Sequence, residues 1–260
     1  MALIVLRRTV AFLALPATLL AVWWFASAGS TDFTSPPLAT IVDVFPKTWF
    51  EGRLGRDVVP SLLRLATGYG IALVAGVALG VLIGANRVLR ALLEPVLEFL
   101  RAIPPTVLVP ILILIVGIDD EMKVLVIVSG CVWPILLNTV EGVRGSDELL
   151  ADICRSYRIG GSLRLRTFVL RSASPQIMTG ARQALSIGLI LMVISELKAA
   201  SDGIGYTMTQ FRQGFQYAEM WSSVIVLGII GVVLAVLFRL VERRVLIWYY
   251  GLRAAERGPR

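Results

Sequence analysis

Six apolar runs, each near the length of a membrane crossing, alternate along the chain with short polar segments, and the pattern predicts an all-helical membrane protein. The first run, Thr9 to Ala28, follows Arg7 and Arg8 and would make about 30 Å of helix at roughly 1.5 Å per residue. Ala26, Ser27 and Ala28 resemble a signal-peptide cleavage site, but the run exceeds a typical signal core, so residues 1–30 are read as a retained transmembrane helix. Residues 31–60 hold Pro36, Pro37, Pro46 and Pro60, and their apolar positions Leu38, Ile41, Val42 and Phe45 predict a short helix in an external, interfacial segment. A core at 61–250 then carries spans at Leu65–Gly84, Val96–Ile118, Val124–Val140, Ile177–Leu197 and Trp221–Val241, before a basic tail at 251–260.

Several spans have features beyond hydropathy. Gly76, Gly80 and Gly84 strip one face of the second span and let another helix, in this chain or in a second copy, approach closely. Pro104, Pro105 and Pro110 bend the third span, and Glu98 and Arg101 are spaced to pair at its start. Asp119, Asp120 and Glu121 form an external turn, and the fourth span includes Ser129, Trp133 and Asn138. On the fifth, Arg182, Ser186, Leu189, Val193 and Glu196 recur at steps of four, three, four and three, which makes a stripe suited either to line a passage or to anchor the helix at the two interfaces.

The polar interlude at 144–175 separates the fourth and fifth spans. Asp147 and Glu148 suit a helix first turn, Leu149, Leu150, Ile153 and Tyr157 follow at helical spacing, and Gly160 and Gly161 end the helix. The result is a short amphipathic helix carrying Asp152, Arg155, Ser156 and Arg158 on its polar side and end, and it could dock in a groove of a soluble partner.

Composition narrows the function. The chain is 57% hydrophobic with mean hydropathy +0.79, too apolar for a soluble domain of its 260 residues. Its net charge of +7 comes mostly from arginines between the apolar runs, which by the positive-inside rule places both termini and the interlude in the cytoplasm and gives no nucleic-acid signal. With no histidine, and with Cys131 and Cys154 in different environments, neither a metal site nor a histidine-based nucleophile is available. Ser195 and Lys198 alone make a poor hydrolase pair, and no deep acidic pairs mark an ion-coupled carrier. No catalytic residue is expected, and a non-transport membrane scaffold is the competing class.

The runs Leu92–Pro105, Trp133–Arg144 and Ser195–Tyr206 resemble the permease subunit of binding-protein-dependent ABC importers, in the branch that handles nitrate, sulfonates and taurine. The resemblance covers about residues 35–250 and implies a type I importer fold with six transmembrane helices and a cytoplasmic coupling helix in the bacterial inner membrane. It also implies a second permease copy or a paralogue, two cytoplasmic ATPases that bind the ATP and Mg, and an extracytoplasmic binding protein; this chain itself needs no cofactor. The interlude corresponds to the family's EAA loop, with Asp152 at the Glu position and Ile153 and Cys154 at the two Ala positions. Arg158 stands where the family has Gly and Arg171 where it often has Pro, so either the glycine turn has slipped to Gly160 and Gly161 or this subunit couples weakly beside a different permease.

Overall fold

The computed structural model describes residues 2–146 and 148–256, and every regular element among them is helical. Asp147 and the tail's residues 257–260 lie outside the described residues, as does the side chain of Glu148.

In chain order, α1 spans Ala2–Ser27, α2 Leu38–Phe50 and α3 Val59–Ala85, the last led in by a π-helical turn at Leu54–Val58. Next come α4 (Arg87–Arg101), α5 (Leu108–Val116), α6 (Asp120–Arg144) and α7 (Glu148–Ser156). A single turn α8 (Gly161–Arg164) runs through a π turn into α9 (Leu170–Lys198), and α10 (Ile204–Gln213), α11 (Tyr217–Val245) and α12 (Ile247–Glu256) complete the chain. Four helices among the described residues are long and apolar enough to cross a membrane, or five when α4 and α5 count as one span bent by 65°.

Glycine spacing sets the core. Gly68, Gly76, Gly80 and Gly84 of α3 abut Ile127, Ile135, Thr139 and Val143 of α6 in step, so these two helices run parallel. A Cβ at Gly80 would stand 2.5 Å from that of Thr139, closer than two carbons can approach, so only glycine permits this packing. On its other flank α6 meets α9 head to tail: Gly180 lies over the Pro134 carbonyl, Gly188 against Cys131 Sγ and Gly142 against Gln176. Polar groups inside this three-helix slab bond across or along it, Tyr69 to the Ala181 carbonyl at 3.0 Å and Thr139 to the Ile135 carbonyl at 2.6 Å. Thus the glycine face expected on the second span is spent inside one chain.

Two sequence boundaries shift. The third span begins as α4, a strongly amphipathic helix with no buried residue, capped by the Asn86 side chain accepting from the Val88 and Leu89 amides. It ends at Arg101 because Pro104 and Pro105 cannot continue the hydrogen-bond ladder. The fifth span reaches back as one rod to Gly161, with Pro175 accommodated inside α9 and a π turn at Leu165–Val169. Helix α10 lies between the fifth and sixth spans; Ile204, Thr207 and Phe211 are its buried face.

Candidate functional site: a coupling helix, a basic groove and a buried ionic node

The end of the slab reached by α6 at Arg144 carries the interlude helix. On α7 the apolar side chains Leu150 and Ile153 are exposed, as are Leu149 and, just past the helix, Tyr157 at 78%, while Cys154 turns inward. Asp152 pairs with Arg155 on the polar side, and Ser156 closes the helix. Folding alone would bury such an apolar stripe; left exposed, it suits a partner.

The helix stops at Arg158. Its φ of +53° is left-handed, its amide donates to the Arg155 carbonyl at 3.0 Å, and the Ile159 amide reaches back to Cys154 at 2.8 Å. These are the two bonds of a Schellman cap, which favours glycine at that position. The turn has therefore not slipped to Gly160 and Gly161: it stays at Arg158, which takes the strained conformation, and Gly161 adopts a left-handed φ of +58° of its own as α8 begins.

The α9 stripe divides between two places. Arg182 pairs with Glu242 of α11, and with Ser186 and Leu189 it lines a slot of about 340 Å3 between these helices. Val193 is half-buried, its carbonyl packed on Gly205. Glu196 is only 1% exposed and cannot line an open space, because its carboxylate is the centre of a buried node at the opposite end of the slab. On α6, Ser129 donates to the Val126 carbonyl at 2.7 Å, Trp133 is half-buried, and Asn138 donates to the Pro134 carbonyl at 2.8 Å beside Gln183 of α9.

The node joins four elements. Arg64 of α3, 4% exposed, donates from Nη1 to Glu196 at 2.9 Å and from Nε to Asp120 of α6 at 2.8 Å, and it also pairs with Asp202 in the α9–α10 loop. Ser61 donates its hydroxyl to Glu196 and accepts from the Ile204 amide at 3.0 Å, while the Gly205 amide donates to Glu196 at 3.0 Å. Lys123 bonds Asp120 at 3.3 Å and the Ile118 carbonyl at 3.2 Å. Gly203 sits at φ +103°, where a Cβ would fall 2.5 Å from the Glu196 carboxyl carbon. Within the run Ser195–Tyr206, Gly203 and Gly205 leave room for the acid, and Ser61 and Arg64 come from α3 to meet it. Sequence reasoning missed Ser61 and Arg64 by starting the second span at Leu65, although their three-residue spacing on one helix face was visible.

Parallel and antiparallel helices closed by glycine contacts, four or five of them long and apolar enough to cross a membrane, with an exposed amphipathic helix at one end, define a polytopic helical membrane protein. The chain belongs to the family of binding-protein-dependent transport system inner membrane components, which matches residues 72–246. It is 31% identical over 238 residues to SsuC of Bacillus subtilis, named for aliphatic sulfonates transport, covering 91% of this chain and 86% of that protein. It is 34% identical to the bicarbonate transport permease CmpB of Synechococcus elongatus, over 68% of this chain and 64% of that one. The taurine transport permease TauC of Escherichia coli shows 25% identity over 90% of this chain and 87% of its own. The chain is thus the membrane subunit of an ABC importer.

Proposed function

We propose that two such permeases, either two copies or this chain with a paralogue, form a passage for a small anion and that α7 docks into a cytoplasmic ATPase on each side. The observation that carries this reading is α7 itself: a nine-residue helix presenting Leu150 and Ile153, with Tyr157 just past its end, to solvent beside the most arginine-rich end of the molecule. Counting α1 and the bent α4–α5 pair, six helices cross the membrane. Arg87, Arg90, Arg144, Arg155, Arg243 and Arg244 gather at one end, which the positive-inside rule makes cytoplasmic and which puts both termini there.

The ATPase binds ATP and Mg, closes on them and moves α7; the rod from Gly161 and α6 carry that movement to the spans. Half-buried Trp133 and Asn138 of α6 form part of the passage wall once a second permease covers them. An extracytoplasmic binding protein delivers the solute at the opposite end. A small oxyanion is the class of cargo, since similar permeases are named for sulfonates, bicarbonate and, in Synechocystis, nitrate.

Uptake into proteoliposomes holding this permease, its ATPase and the binding protein tests the reading. ATP-driven accumulation of sulfonate, nitrate, bicarbonate or taurine is expected, with loss to background for Leu150→Asp combined with Ile153→Asp. Accumulation undiminished by that pair removes the docking role. Capture of the ATPase with no accumulation of any of the four favours a scaffold.

A further inference from the structure

We infer that the groove between α9 and α11 is a binding site for an anionic phospholipid of the cytoplasmic leaflet, with an acyl chain in the slot and the phosphate on Arg239 and Arg243. The groove has two compartments that share Arg182 and Arg239. The deeper one, of about 340 Å3, is walled mainly by aliphatic and aromatic side chains, among them Leu185, Leu189, Leu234 and Phe238. The other, of about 510 Å3, is walled by Arg182, Arg239, Glu242, Arg243 and Tyr250. Three arginines against one glutamate leave a formal charge of +2 at that mouth.

Arg182 is already neutralised by Glu242, whereas Arg239 and Arg243 make no ion pair among the described residues. An apolar slot opening onto free guanidinium groups is complementary to an amphiphile with a negative head, and a bare anion would leave the slot unfilled. The depth agrees. Helix α12 is amphipathic, its Trp248 ring lies under Arg171 at 5.3 Å, and Tyr249 and Tyr250 stack edge to face beside it, an aromatic belt of the kind that settles at headgroup level. The site therefore spans the boundary between acyl chains and headgroups, where a phospholipid phosphate resides. It also lies along the rod that leads from α7, from Arg182 to Ile190, so a lipid there would brace α11 against α9.

Native mass spectrometry of the purified full-length chain, incubated with phosphatidylglycerol or with phosphatidylcholine, tests this. Retention of phosphatidylglycerol over phosphatidylcholine is expected, unaffected by excess inorganic phosphate. Arg239→Gln with Arg243→Gln should weaken the preference roughly fivefold per arginine, about twenty-five-fold for both. Ala235→Phe, which fills the slot and keeps all three arginines, should abolish retention separately and guards against misfolding of the charge variant. Equal retention of the two lipids, an undiminished preference in the double variant, or displacement by phosphate alone would each overturn the assignment. The outcome is independent of whether α7 docks an ATPase.

Discussion

Arg158 and Phe215 hold left-handed backbone at φ +53° and +57°, and both occupy the same place, the residue just past a helix whose next amide bonds five residues back. A side chain there costs about 1–2 kcal/mol relative to glycine. Arg158→Gly should accordingly firm the end of α7, and hydrogen exchange at the amides of residues 157–159 should slow about fivefold for a gain of about 1 kcal/mol. Unchanged or faster exchange would mean that the arginine makes a compensating contact. Space decides matters at other glycines. Gly205→Ala places a Cβ 2.7 Å from both the Glu196 Cβ and the Val193 carbonyl oxygen, and a loss of about 1–3 kcal/mol is expected from overpacking. Gly70→Ala meets nothing within 4 Å in the middle of α3 and should be neutral or stabilising by up to about 1 kcal/mol. Thermal unfolding of the two variants in the same detergent compares them directly.

Among the elements, the node at Glu196 ties α3, α6, α9 and the start of α10 together, and its charges are unequal in what they leave behind. Arg64→Met strands a buried carboxylate with only Ser61 and the Gly205 amide, and a loss of about 3–5 kcal/mol follows from an unpaired buried charge. Glu196→Gln is milder, because the amide oxygen still accepts those two bonds and Arg64 keeps Asp120 and Asp202. Equal melting temperatures for the two variants would contradict this ordering. The node was also where the sequence was least readable. Hydropathy located the four long spans α3, α6, α9 and α11 because burial in lipid demands long apolar runs, and the four-residue glycine spacing located the α3 face. Glu196, by contrast, shared a helical stripe with Arg182, and periodicity along one helix cannot reveal that Arg64, more than a hundred residues earlier, comes from another helix to meet it. The same limit hid α10, whose buried positions Ile204, Thr207 and Phe211 are interleaved with glycine and polar residues. The existence of the short helix in the interlude and its exposed apolar face were readable. Its stop at Arg158 was not, since sequence alone favours glycine as the turn residue.

For the whole molecule, the consequence is a division of labour between two ends. One end is locked by a saturated ionic node and glycine contacts; the other offers α7, with its apolar face uncovered, at the foot of a continuous helix from Gly161 to Lys198. Movement applied at α7 would pass along that rod while the node holds the far end together. The coupling role of this subunit rests on α7 meeting an ATPase, so the most direct measurement is mild-detergent affinity purification of the tagged full-length chain from its own membranes, with the stoichiometry of what co-elutes. One ATPase subunit per permease is expected, lost when Leu150 and Ile153 are both changed to Asp, with any paralogous permease appearing in equal amount. Wild-type chain eluting without an ATPase, under conditions that keep a known importer intact, or a double variant that retains it, would contradict docking through α7.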